Sequence, residues 1–84
     1  MESITEEFPG GIAARDLQFR AGARASRTIL CNIEGGVRVY VDVDDDGEAV
    51  AISLVGKAPL DGLREQELHE LAKGLARLDA RSKA

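Results

Sequence analysis

The sequence predicts an α+β domain: a three-stranded antiparallel meander, a C-terminal helix packed on one face, and a short N-terminal helix or edge strand. Three observations predict it. Residues 28–55 hold three β-type runs separated by two turn signals. The middle run, VRVYVDV, alternates strictly between apolar and polar. After Pro59 the period changes, and Leu68, Leu71, Leu75 and Leu78 recur at helical spacing.

The N-terminal stretch, MESITEEFPGG, is acidic and has no apolar h-region, so it does not read as a secretory signal. Residues 1–11 read as a flexible acidic arm that Pro9-Gly10-Gly11 sets apart. Phe8 reads either as a hydrophobic anchor that ties the arm down or as a free side chain. Residues 12–84 then form a single small domain. Over 12–20, Ala and Arg favour helix, and Ile12, Arg15, Phe19 and Ala23 share a helical face. The competing pattern sets Leu17 and Phe19 against Asp16, Gln18 and Arg20, which suits an edge strand at 16–20. The helix is the expected form, with 21–27 as a loop.

The three runs follow. Ile29, Cys31 and Ile33 alternate with Thr28, Asn32 and Glu34, with Leu30 the exception, and Gly35-Gly36 provides a tight turn. Val37, Val39, Val41 and Val43 share one face; Arg38, Tyr40 and Asp42 share the other. Asp44-Asp45-Asp46-Gly47 signals the second hairpin. Val50, Ile52 and Leu54 continue the apolar face. Pro59 stops the third run, because it cannot donate to a ladder. Asp61 reads as the N-cap of a helix reaching about residue 81. Acids in its first half and bases in its second suit the macrodipole. The expected core is Ile29, Cys31, Ile33, Val37, Val39, Val41, Val43, Val50, Ile52, Leu54, Leu68, Leu71, Leu75 and Leu78. Ala72 flanks the leucine stripe. Gly74, inside the helix, costs about 1 kcal/mol against alanine.

At 84 residues the chain is one domain, and so short a core gains from dimerisation. Its 31% charged and 44% hydrophobic residues fit a globular domain, and no apolar run reaches the ~18 residues of a membrane span. A single cysteine allows no internal disulfide and fits a reducing cytoplasm. A net charge of −4 argues against a general polyanion binder. The charge is uneven, however: residues 42–48 are acidic, whereas Arg15, Arg20, Arg24 and Arg27 cluster beside one acid, Asp16.

Asp42, Asp44, Asp46 and Gly47 match the start of a calcium loop, but the twelfth position is Ser53 where a bidentate Glu is needed. The acids therefore read as a solvated hairpin tip, and no metal is assigned. His69 and Cys31 stand 38 residues apart and read as a half-exposed helix residue and a small buried hydrophobe. No catalytic set and no Gly-rich phosphate loop is present, so no enzyme and no cofactor is assigned. A helix–three strands–helix order is shared with double-stranded RNA-binding domains. Here the start of the last helix reads Asp61, Arg64, Glu65, Glu67 and Glu70, a net acidic set that repels phosphate, so that reading is set aside.

The expected function is a small acidic, non-enzymatic, cytoplasmic protein-interaction module, a regulator or inhibitor of a larger macromolecule. Its expected contacts are Asp42, Asp44, Asp45, Asp46 and Glu48 with Arg38 and Tyr40, and a homodimer is one form of it. A nucleic-acid binder using Arg15, Arg20, Arg24 and Arg27 is the alternative. A small-ligand domain or enzyme subunit comes third.

Overall fold

A computed structural model of the chain describes residues 2–20, 22, 24–33, 36–57 and 64–82. Five strands precede one helix: β1 (Glu2–Phe8), β2 (Ile12–Gln18), β3 (Arg27–Ile33), β4 (Val37–Val43), β5 (Ala49–Lys57) and α1 (Glu65–Ser82). All pairings are antiparallel, and the spatial order is β1-β2-β5-β4-β3. The fold is α+β, but its sheet has five strands, and the expected three-stranded meander is only its β5-β4-β3 half.

The correction lies at the N-terminus. Glu2–Phe8, read as a loose arm, is a full strand, and Ile12–Gln18, read as helix, is an interior strand between β1 and β5. Pro9-Gly10-Gly11 is a hairpin loop. Phe8 stands opposite Ile12, and Gly10 and Gly11 take φ of 86° and 76°, a region that side chains disfavour. Helix propensity in IAARDLQ is a weak local preference, and pairing on both edges overrides it. Ala13, Arg15 and Leu17 are buried, while Ile12, Asp16 and Gln18 are exposed.

Phe19, Arg20 and Ser26, in the connection from β2 to β3, are held to the end of the β4–β5 hairpin. The Phe19 amide donates to the Val50 carbonyl at 2.9 Å, the Ser26 amide donates to the Val43 carbonyl at 2.8 Å, and Arg20 pairs with Asp44 at 2.5 Å. Val50 is a bulge residue: Asp42 faces Ala51 whereas Val43 faces Ala49, so one residue of β5 is extra. Gly56 allows a close approach, since a Cβ there would lie 3.0 Å from Val37 Cγ2 and 3.1 Å from its Cα.

α1 lies over β5, β4 and β3 on one face of the sheet. Its buried residues are Leu68, Ala72 and Ala76, with Leu71 and Leu75 partly buried beside them. The stripe is thus rotated from the leucine row, and Leu78, an expected core residue, is 59% exposed. Small alanines let the helix settle close to the sheet, mostly over β5. Ala13 and Leu17 join the core, and Val50 is buried just outside the contiguous cluster. Ile29, Cys31 and Val37 are partly buried against it. The Ile33 side chain and the expected cap Asp61 lie outside what the structure describes. No helix among the described residues is long and apolar enough to cross a membrane.

Candidate functional site

With α1 on one side, no described element covers the other face of the sheet. The strand registers place its residues in rows. One row crosses all five strands: Ile4, Asp16, Ser53, Tyr40, Leu30. A second runs Glu6, Ala14, Val55, Arg38, Asn32, and a third carries Phe8, Ile12 and Lys57. In an antiparallel ladder, residues directly opposite share a face, so these rows are one surface.

The large apolar residues that remain exposed concentrate there. Ile4, Phe8, Ile12 and Leu30 are between 44% and 58% exposed, and all four belong to these rows. Singly exposed apolar residues are ordinary on a protein surface; here three, Ile4, Phe8 and Ile12, gather on the β1–β2 hairpin, and Leu30 stands on the far edge of the same face. Phe8, Ile12 and Val55 occupy one corner, and Leu30 and Tyr40 flank the opposite edge. A shallow depression of about 370 Å³, bordered by Ile4, Asp16, Asp42 and Ser53, lies at the other end of the strands, toward Gln18 and Ala51. Carboxylates on its rim and apolar groups around it suit a basic side chain on an apolar partner surface.

The structure divides the expected contact set. Arg38, Tyr40 and Asp42 stand on the open face, where the Thr28 hydroxyl donates to Asp42 at 2.6 Å. Asp45, Asp46 and Glu48 are exposed at the hairpin end, off the face. Asp44 is occupied structurally. Its Oδ1 accepts from the amides of Asp46 at 2.9 Å and Glu48 at 3.0 Å, and its Oδ2 meets Arg20. The Glu48 amide first, and then the Arg20 guanidinium, hold its carboxyl below the usual aspartate range. Among the described residues no three His, Cys, Asp or Glu side chains form a group that could hold a metal ion.

The four arginines do not form a patch. Arg15 is 8% exposed and lies on the helix-side face of the sheet, in the row of Thr5, Leu54 and Val39. Arg20 pairs with Asp44. Arg27 pairs with Asp79 of α1, whose buried Oδ2 has no well-directed hydrogen bond, so the contact is an ion pair. Arg24 is exposed in the connection.

A second concavity, about 470 Å³, opens between the hairpin end and α1, with Phe19, Arg20, Glu48, His69, Lys73 and Arg77 among its walls. The Phe19 and His69 rings meet there, with centroids 4.3 Å apart and planes tilted by 33°. His69 therefore serves as an aromatic neighbour that closes this flank of the core. Cys31 is partly buried on β3 and free.

Sequence reading reached Arg38 and Tyr40 and missed Ile4, Phe8 and Ile12. The signal was present. Ile4, Glu6 and Phe8 alternate with Ser3, Thr5 and Glu7, and a three-residue Gly-rich loop separates Phe8 from Ile12. Comparison with known proteins finds no family model, curated protein or solved structure that matches the chain.

Proposed function

We propose that this chain is a non-enzymatic interaction module that engages a larger macromolecular partner through the open face of its sheet. One observation carries the reading. Among the described residues the helix covers a single face, and the other exposes Ile4, Phe8 and Ile12 on the β1–β2 hairpin and Leu30 opposite Tyr40 on the far side, with Arg38 in the next row. Leaving that much apolar surface in water costs free energy that a docked partner recovers. Asp16 and Asp42 on the face, with Asp45, Asp46 and Glu48 at the hairpin end, favour a partner with a basic surface.

The test is capture of the tagged chain from host lysate, with and without nuclease, followed by mass spectrometry. A stoichiometric protein partner is expected to survive nuclease. It is expected to be lost with Phe8→Lys plus Tyr40→Ala, two changes on a face that no described element covers. Asp45→Asn plus Asp46→Asn should weaken capture less. A partner retained by the face variant, or one that vanishes with nuclease, would overturn the reading.

A further inference from the structure

The concavity of about 470 Å³ between the β4–β5 hairpin end and α1 is bounded by the helix, so it is no part of the open sheet face. Its helical wall follows from spacing. His69, Lys73 and Arg77 stand at i, i+4 and i+8 and form one row along α1. Ala49, Ala76 and Ala80 are the small apolar residues among the walls, and side chains of this size leave the space open. Arg20, from the β2–β3 connection, and Glu48, just before β5, form the non-helical side. Along the helix the touching rings of Phe19 and His69 come first, and Arg77 follows two turns later, about 12 Å on.

The charge of this space is the reverse of the chain's. Arg20, Lys73 and Arg77 border it against one acid, Glu48, whereas the whole sequence carries a net charge of −4. Asp45 and Asp46, at the tip of the same hairpin, are not among its walls. The cations are not used up within the chain. Arg20 gives one terminal nitrogen to Asp44 and keeps its other donors. Lys73 stands 3.7 Å from Glu70, an exposed pair of the kind that contributes little. Arg77 has no ion-pair partner among the described residues, and Glu48 pairs with none of the three. Like charges one turn apart on a helix repel, so an anion between Lys73 and Arg77 would relieve a strain that the chain itself leaves in place.

We propose that this concavity binds a small organic anion that carries a flat ring, of the chemical class of a nucleoside monophosphate. A phosphate monoester carries about −1.5 to −2 charges at pH 7, which suits three cations better than a single carboxylate does. Its oxygens sit between Lys73 and Arg77, where a guanidinium offers two parallel donors, with Arg20 on the other wall. The ring rests on Phe19 and His69, which are both half-buried and keep part of their surface open to the cavity. Glu48 accepts from a hydroxyl or amino group of the ligand. The volume lies within the range of small-molecule sites, ~300–1,000 Å³. Since the walls come from the β2–β3 connection, the β4–β5 hairpin and α1, a bound ligand ties the three together and stabilises the fold by mass action.

The experiment is an amide NMR titration of the purified full chain with adenosine, guanosine, cytidine and uridine monophosphate singly, and with the parent nucleosides and inorganic phosphate as separate probes. At least one nucleotide is expected to give saturable shifts in residues 47–49 and 69–77, with a dissociation constant below about 1 mM. Its nucleoside, or phosphate alone, should bind at least about tenfold more weakly. Arg77→Glu, at an exposed side chain, should raise the nucleotide's constant at least about tenfold. Arg64→Glu, the same charge change before the first turn of α1, should leave it within about twofold, and circular dichroism verifies that both variants fold. No saturable shift with any of the four, phosphate alone binding as tightly as the nucleotide, or equal constants for the Arg77→Glu and Arg64→Glu variants would each overturn the proposal. The titration contains no partner, so its failure is separate from failure of capture through the open face.

Discussion

Asp44 fixes the β4–β5 turn from both of its oxygens. Amides of the turn hold Oδ1 and Arg20 holds Oδ2, so the carboxylate ties the β2–β3 connection to the hairpin end. Its carboxyl titrates below the ordinary aspartate value, so the stabilisation is present above about pH 4 and fades as pH falls through the lowered value. Asp44→Asn keeps an oxygen for the amides and loses the ion pair. Its urea midpoint should fall below that of the wild type at neutral pH, and the gap should close as both are acidified. Gly56 makes a different point. Its backbone is ordinary, but the Val37 Cα is so near that a methyl group must push β4. Gly56→Ala should cost about 1–3 kcal/mol in chemical denaturation.

At the scale of elements, α1 separates helix patterning from helix docking. A row of four leucines is the natural apolar stripe of the sequence, yet the buried line is Leu68, Ala72 and Ala76. Large side chains at 72 and 76 would hold the helix off the sheet; alanines let it settle, and the leucines fall to the flank. Leu68→Ala should therefore cost about 2–5 kcal/mol, the range for a fully buried leucine. Leu78→Ala should stay within about 0.5 kcal/mol under dilute, monomeric conditions, since it removes an exposed side chain. Under the same conditions Gly74→Ala should stabilise the chain by about 1 kcal/mol, because helix propensity rises and the methyl meets no neighbour. Urea titrations of the three variants at one low concentration compare them directly.

For the whole molecule, the N-terminal hairpin widens the sheet beyond what the helix covers. β1 and β2 bring Ile4, Phe8 and Ile12 to the open face, and β2 buries Leu17 against Ile52. Deleting residues 2–11 would strip a ladder from β2 and uncover its edge. A drop of several degrees in thermal midpoint is expected, since about 1 kcal/mol corresponds to ~4–8 °C in a domain of this size. A loose arm in that place could be removed with no shift.

The three runs between residues 28 and 55 were legible because they satisfy a local rule: a period of two, with glycine or Asp-Gly at the turns. The α+β class, the turns and most of the buried face followed from that alone, as did Arg38, Tyr40 and Asp42 on the opposite face. Tertiary structure decided the rest. The acids of β1 and the Ala and Arg of β2 outweighed a weak strand signal, the alternation on either side of Pro9-Gly10-Gly11. Each is a strand because its neighbours satisfy its backbone, with β5 lending an edge to β2 and β2 to β1. The rotation of α1 was likewise a matter of fit against the valines, and hydrophobicity ranks leucine above alanine without weighing the closer approach that alanine permits. The arginine cluster came apart for the same reason. Nearness in sequence placed Arg15, Arg20 and Arg27 together, and alternation, a turn and a helix placed them on a buried face, at the hairpin end and against Asp79.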